Sequence, residues 1–162
     1  MYSPMPPLNT TPGSSLLKGA GIGIIIMSLP IMFVSTASSL NPNWPATSES
    51  TGAVLVSIAL SILTLAIGIA VITSSDIARK ARKIFILGIV NIIALPAAVI
   101  TGTVALLMSM PESGAGYAAI LLLPFVTLPA LFVSIAVSVL LIVGARMNIN
   151  ASRPAALFRH HL

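Results

Sequence analysis

Residues 74–83, SSDIARKARK, hold four of the eight basic residues in this chain of 162 residues. Long apolar runs flank this connector, from residue 52 to 73 and from residue 84 to 108. Cytoplasmic loops of membrane proteins carry an excess of Lys and Arg, and a connector that collects cations between two apolar runs fits that pattern. The connector therefore predicts that the flanking helices lie in lipid and that the connector itself faces the cytoplasm.

The composition of the chain supports lipid as its main solvent. Hydrophobic residues make up 57% of the sequence and charged residues 7%, with a mean hydropathy of +1.08. A soluble domain carries about 25% charged residues, because its surface must face water. The chain has no cysteine, which excludes disulfides and thiolate chemistry. Its aromatic content of 5% is too low for a base-stacking surface, so we expect no nucleic-acid partner.

Four apolar stretches are long enough to cross a bilayer core, which takes about 20 helical residues. They predict an all-α integral membrane protein with four transmembrane helices in an up-down bundle. We expect the first stretch to be a retained anchor and not a cleaved signal peptide, because it is long and contains Pro30. The predicted organisation is a flexible tail at residues 1–15, a membrane domain at 16–145 with spans near 16–38, 52–73, 84–108 and 117–145, and a C-terminal tail at 146–162.

The basic residues all fall on one side of a chain with four spans. They are Lys18 before the first span, Arg79, Lys80, Arg82 and Lys83 between the second and third, and Arg146, Arg153 and Arg159 after the fourth. The other side carries Glu49 and Glu112. This asymmetry predicts a multi-pass protein of the plasma or inner membrane with both termini in the cytoplasm.

The basic connector also predicts a partner. Cations next to a membrane attract anionic phospholipids with about 1 kcal/mol per Lys or Arg. A more specific ligand of the inner face is the alternative interpretation. Asp76 is the one acidic residue on this side, and we expect it to pair with Arg79 or Lys80 one helical turn away.

Small residues recur at helical spacing within each span, as in helices that pack closely in lipid. Asn91 is the most polar residue of any span. It predicts an interhelical hydrogen bond of about 0.6–2 kcal/mol, and the alternative is a substrate or ion path together with a kink at Pro96. The predicted packing residues are Gly19 and Gly23 in the first span, Ser57 and Ser61 in the second, Asn91, Ala98 and Gly102 in the third, and Ser134 and Ser138 in the fourth.

The connector on the other side has one candidate for docking. Asn41, Trp44 and Pro45 lie in the sequence LNPNWPATSEST, where Trp44 could anchor a partner as a rigid aromatic side chain. The alternative is that Trp44 belongs to the aromatic belt at the membrane interface.

The sequence carries no recognisable catalytic chemistry. Apart from Lys18 at the first turn of the first span, the spans lack the ionisable groups that proton relays and coupled transporters place within the membrane. GAGIG at residues 19–23 has the wrong spacing for a dinucleotide fingerprint, so we expect no nucleotide and no cofactor. His160 and His161 have no evident third ligand, and we expect no metal site.

These features favour a non-catalytic accessory or scaffolding subunit of a larger membrane complex, with an energy-transducing or transport complex as its host. Its expected partners are larger membrane subunits and anionic phospholipids. The alternative is a pore or uncoupled carrier formed by homo-oligomerisation and lined by hydroxyl groups. A membrane enzyme ranks third, because the required residues are missing.

Overall fold

The computed structural model describes residues 13–41, 47–77, 80–110 and 114–157. For residues 48, 114–119 and 152–157 it describes the backbone alone. Four α-helices follow one another in this part of the chain: α1 Ser14–Ser39, α2 Ser48–Ser74, α3 Ala81–Met108 and α4 Gly114–Leu157. Each helix contains a stretch that is long and apolar enough to cross a membrane. The prediction of an all-helical chain with four candidate spans is therefore confirmed, and the four helices support a multi-pass membrane protein.

The helices differ in length. α1, α2 and α3 have 26, 27 and 28 residues, which at 1.5 Å per residue is about 40 Å, somewhat more than the roughly 30 Å of a hydrocarbon core. α4 has 44 residues, or about 66 Å. It continues past residue 145, where the sequence predicted the start of a tail. Asn148 is buried and its Nδ2 lies 3.4 Å from the carbonyl oxygen of Ser75, so packing against α2 extends α4 beyond the apolar run.

The four helices form a ring in which each packs against its neighbours in sequence, and α4 returns to pack against α1. Of the two diagonals, α1 and α3 are the closer pair. The start of α1 and the end of α2 meet, since Lys18 Nζ lies 2.9 Å from Asp76 Oδ2. Lys18, and not Lys80, is thus the partner of Asp76 in the structure, and Arg79 lies outside the described residues. We call this end of the bundle the basic end.

Buried positions recur every seven residues along the helices. In α1 they include Ser14, Gly21, Ser28 and Ser35, and in α3 they include Ile84, Asn91, Ala98 and Ala105. A strict repeat of seven is the period of helices that pack with a left-handed twist. Most of these side chains are small, which lets the helix backbones approach closely, as they do in membrane bundles.

Local capping explains where α2 begins. The backbone N–H of Ser50 donates to Thr47 Oγ1 at 3.2 Å, and the backbone N–H of Thr47 donates to Ser50 Oγ at 3.2 Å. This reciprocal capping box satisfies two donors that the first turn leaves without helical partners. As a result α2 starts at Ser48, ahead of the predicted residue 52.

Candidate functional site

Backbone contacts between glycines fix the basic half of the bundle. A Cβ atom on Gly21 would lie 3.0 Å from the carbonyl oxygen of Gly68, and one on Gly68 would lie 3.0 Å from the carbonyl oxygen of Gly21. Gly13, just before α1, has φ 91°, and a Cβ there would lie 2.6 Å from the carbonyl oxygen of Gly144. A side chain at any of these positions would push backbones apart, so α1 is held closely against both α2 and α4.

The structure places the two residues of the predicted pair, Gly19 and Gly23, in different surroundings. Gly19 is exposed, and a Cβ on it would meet no atom within 4 Å. Gly23 faces α4, where a Cβ would lie 3.1 Å from Val137 Cγ2. Sequence reasoning missed the contact between Gly21 and Gly68, because a run of three alternating glycines does not show which of them faces a neighbour.

A line of hydroxyl groups joins α1 to α2. Ser35 Oγ and Ser57 Oγ lie 2.6 Å apart, and Ser28 Oγ and Thr64 Oγ1 lie 2.7 Å apart. Ser35 also donates to the carbonyl oxygen of Ile31 at 2.8 Å. Since a hydroxyl has one hydrogen to donate, Ser57 is the donor to Ser35 when Ser35 donates to Ile31. These four hydroxyl residues are buried, and so is Ser61.

An amide joins α3 to α4. Asn91 Nδ2 donates to Ser138 Oγ at 2.9 Å, and Ser138 Oγ donates to the carbonyl oxygen of Ser134 at 2.8 Å. Asn91 Oδ1 is buried, and none of the described residues gives it a hydrogen bond. Asn91, Ser134 and Ser138 are all fully buried. The observed bond is the interhelical contact that the sequence predicted, whereas an ion or substrate path at Asn91 stays an untested alternative.

The third helix also places its predicted small residues inside the bundle. Ala98 and Gly102 are buried. A Cβ on Gly102 would lie 2.9 Å from Ile31 Cγ2 and 3.3 Å from Ser57 Oγ. Gly102 therefore lies where α1, α2 and α3 come together.

Cations surround the basic end. Lys18, Lys80, Arg82, Lys83 and Arg146 are all exposed. Asn148 Nδ2 lies 3.4 Å from the carbonyl oxygen of Ser75, while Asn148 Oδ1 is buried and has no hydrogen-bond partner in the described part of the chain. The arrangement gives this end a positive, water-accessible surface above a neutral interior. A specific ligand for it stays a prediction.

The opposite end is polar and lacks basic residues in its described part. Asn41 Nδ2 donates to the carbonyl oxygen of Ser109 at 2.9 Å, and Ser109 Oγ lies 3.4 Å from Ser38 Oγ. These contacts tie the end of α1 to the end of α3. Trp44 and Pro45 lie outside the described residues, so partner docking by these two residues stays a prediction.

The first half of α4 has the most open surface of the bundle. Within an 18-residue apolar segment of its candidate span, 17% of the residues are buried, against 39% in the equivalent segment of α3. Leu121, Phe125 and Phe132 are each more than 70% exposed, and Leu128 between them is 55% exposed. These four residues follow a spacing of four, three and four, which puts them on one face of a helix. The sequence did not distinguish this face, because the first half of α4 is apolar on nearly every side.

A cleft opens where α4 separates from α1. It has a volume of about 230 Å³ and is lined by apolar side chains of α1, α3 and α4, with Thr103 and Thr127 as its polar lining residues. A second cavity of about 220 Å³ shares Val34 and Leu106 with the first and reaches Ser38, Asn41 and Ser109. The two cavities thus lead from the bundle interior to the polar residues at its end.

Comparisons with known protein families, curated proteins and solved structures found no match for this chain. Among the described residues, no group of three or more His, Cys, Asp or Glu side chains is placed to hold a metal ion. The surfaces of the bundle and its interior contacts are therefore the features that bear on its function.

Proposed function

We propose that this protein is a non-catalytic accessory subunit that stabilises a larger membrane complex, and that it docks through the exposed face of α4. The observation that carries the proposal is the row of large apolar side chains at Leu121, Phe125, Leu128 and Phe132, which none of the other described helices covers. We call this row the α4 ridge. An energy-transducing or transport complex in a bacterial plasma membrane is the proposed host.

The α4 ridge differs in size from the residues that pack inside the bundle. Interior positions are mainly Gly, Ala and Ser, for example Gly21, Ser57 and Ala98. The ridge offers Leu and Phe with the spacing of a coiled-coil seam, in which large side chains of one helix enter spaces on another. Lipid tails also cover apolar side chains, but they do not require a regular row of aromatic and leucine residues. The ridge fits a partner helix that has small residues at matching spacing.

The interior hydroxyl groups favour an accessory role over a pore. Ser57, Ser61, Thr64, Ser134 and Ser138 are the residues expected to line a homo-oligomeric pore. In the structure they are buried within a single chain. Three of them also bond to a neighbouring helix: Ser57 to Ser35, Thr64 to Ser28 and Ser138 to Asn91. Lining a pore between copies would require opening these three contacts, at about 0.6–2 kcal/mol for each bond.

The proposed orientation has both termini in the cytoplasm. It is supported by the exposed cations Lys18, Lys80, Arg82, Lys83 and Arg146, which gather at one end of the bundle. In this orientation they face the negatively charged inner leaflet, whose anionic lipids attract them. Asn41 and Ser109 then lie near the outer surface.

Purification in a mild detergent tests the proposed role. We expect wild-type protein to bring down unlike membrane chains in a fixed ratio. Substituting both Phe125 and Phe132 by Ala should release them, because the ridge loses its two largest side chains. The matched control substitutes Ala for both Ile86 and Ile93 of α3, which are also exposed. It should keep the unlike chains bound. A homogeneous homo-oligomer that makes liposomes leak ions would contradict the accessory role.

Cysteine labelling tests the orientation separately. The natural chain has no cysteine, so single substitutions give an unambiguous signal. Ala151→Cys and Ser39→Cys place thiols at exposed positions near opposite ends. In intact cells, an impermeant thiol reagent should label Cys at position 39 and leave position 151 unlabelled. The reverse pattern would mean that the bundle is inverted.

A further inference from the structure

We propose that the cleft between α1, α3 and α4 holds one hydrocarbon chain of a lipid with an uncharged or zwitterionic headgroup. This inference is independent of the accessory role, since it concerns a different face of the bundle from the α4 ridge. It assigns the apolar cavity to the tail and the polar cluster Ser38, Asn41 and Ser109 to the headgroup region. The two cavities adjoin, since Val34 and Leu106 line both of them.

The closed end of the cleft limits what can enter. A Cβ on Gly23 would lie 3.1 Å from Val137 Cγ2, so α1 and α4 are in contact there. Met27 and Ala130, which line the cleft, lie one and two helical turns from that contact. To admit another helix, the axes of α1 and α4 would have to separate by about 16–20 Å within roughly 11 Å along the helix. The space suits a thin flexible chain and not a partner helix.

The lining chemistry agrees with a hydrocarbon chain. Apart from Thr103 and Thr127, the wall consists of aliphatic side chains, glycine and proline. Both threonines donate to carbonyl oxygens of their own helices, at 2.8 Å from Thr103 to Val99 and 2.9 Å from Thr127 to Leu123. The two hydroxyl oxygens also lie 3.4 Å apart. Both hydroxyls thus have partners within the protein, and their methyl groups are compatible with an apolar occupant. An engineered apolar cavity of about 150 Å³ binds small hydrocarbons, so a cleft of about 230 Å³ is large enough for part of a lipid tail.

The polar end of the two adjoining cavities indicates the type of headgroup. Ser109 Oγ donates to the carbonyl oxygen of Leu106 at 2.7 Å, which leaves its lone pairs to accept from a hydroxyl or amine group. The Ser38 hydroxyl has a hydrogen of its own that can be donated to an ester or hydroxyl oxygen. The sequence has no Lys or Arg between residues 19 and 78 or between 84 and 145, which are the segments that contribute to both cavities. A phosphate without a compensating cation would lack an ion partner here. A headgroup without net charge fits this end, in contrast to the anionic lipids expected at the basic end.

Substitution within the cleft tests the tail site. Ala130 lines the cleft, whereas Ala136 lies two turns along the same helix on an exposed face. Wild-type protein purified in mild detergent should retain about one phosphatidylethanolamine per chain, measured by native mass spectrometry. Ala130→Phe should reduce this retention by roughly tenfold, equal to about 1.4 kcal/mol, and Ala136→Phe should leave it unchanged. Absence of lipid from the wild type, or equal loss in both variants, would overturn the proposal.

A measurement on the wild-type chain avoids any folding defect of the variants. The protein is placed in vesicles of equal parts phosphatidylethanolamine and phosphatidylglycerol, with a photoreactive diazirine on the tail of one lipid at a time. We expect the phosphatidylethanolamine probe to label Thr103 and Thr127 more strongly than the exposed Ile86 and Ile135. Stronger labelling of the cleft by phosphatidylglycerol would contradict the headgroup assignment, and equal labelling of all four residues would contradict the site.

Discussion

The two ends of the bundle are built differently although the same four helices form both. At the basic end, Gly13 meets Gly144 and Gly21 meets Gly68, so α1 is in backbone contact with α2 and α4. At the opposite end, α4 leaves α1, and a cleft of about 230 Å³ separates them. Glycine lies at the points where α1 closes on its neighbours, whereas Ile26 and Val126 line the cleft where α1 and α4 part.

This difference suggests a division of roles, in which the basic end provides stability and the open end provides surfaces for interaction. Closely packed segments have few ways to accept a ligand or a partner, because each atom already has neighbours. The open half of α4 has room for both, with the α4 ridge on one face and the cleft on another. We therefore expect substitutions at the basic end to affect stability, and substitutions at the open end to affect what co-purifies with the protein.

The strongest effect should come from adding a methyl group at the glycine contact. Gly21→Ala would place a Cβ 2.7 Å from Ile72 Cγ1 and 3.0 Å from the carbonyl oxygen of Gly68. Overpacking of this kind costs about 1–3 kcal/mol, which should appear in the free energy of unfolding in mixed micelles. Gly19→Ala on the same helix is the control and should be neutral or slightly stabilising, since nothing lies within 4 Å. Equal effects of the two changes would mean that α1 and α2 do not approach at Gly21.

Removal of the amide bridge between α3 and α4 should have the next largest effect. A double-mutant cycle of Asn91→Ala and Ser138→Ala should give a coupling energy of about 0.6–1.7 kcal/mol, as for other interhelical hydrogen bonds in membranes. Asn148→Ala near the basic end should cost less than Asn91→Ala, because the Asn148 contact is 3.4 Å long against 2.9 Å for Asn91. A coupling energy of zero would show that Asn91 and Ser138 do not form the bond.

The hydroxyl pairs between α1 and α2 should contribute less. Ser35 donates to a carbonyl oxygen of its own helix, so removal of Ser57 leaves that bond intact. A cycle of Ser35→Ala and Ser57→Ala should therefore give about 0.6 kcal/mol or less. Thr36→Ala serves as the control, because Thr36 is exposed and bonds within its own helix. A coupling energy well above that value would indicate that the hydroxyl groups between α1 and α2 form a cooperative network.

The ion pair at the basic end should have the smallest effect. Lys18 and Asp76 are both well exposed, and exposed ion pairs contribute about 0–1 kcal/mol. Asp76→Asn should change the free energy of unfolding by less than about 0.5 kcal/mol at moderate salt. A larger loss that high salt abolishes would show that this pair matters more for the meeting of α1 and α2 than the glycine contacts suggest.

The sequence was sufficient for the helices and insufficient for their contacts. Apolar runs separated by polar connectors gave four helices, because backbone groups in lipid must be satisfied within a helix. The face that each glycine presents depends on how the helices rotate against one another, so the sequence favoured Gly19 and Gly23 and did not reveal the contact of Gly21. The pairing of Lys18 with Asp76 was missed for the same reason, since these residues are distant in sequence and adjacent in space. The cleft depends on side-chain volumes summed over three helices, and no local pattern encodes it.

The central claim is that the open half of α4 is a docking surface for another membrane protein, and crosslinking tests it most directly. A photoreactive phenylalanine analogue replaces Phe125 or Phe132, and the protein is irradiated in its native membrane. The control position is Ile93 on α3, which is 71% exposed, against 76% for Phe125 and 73% for Phe132. We expect a discrete crosslink from the α4 positions to an unlike polypeptide and none from the control. Crosslinks to lipid alone, or to a second copy of this chain, would contradict the claim.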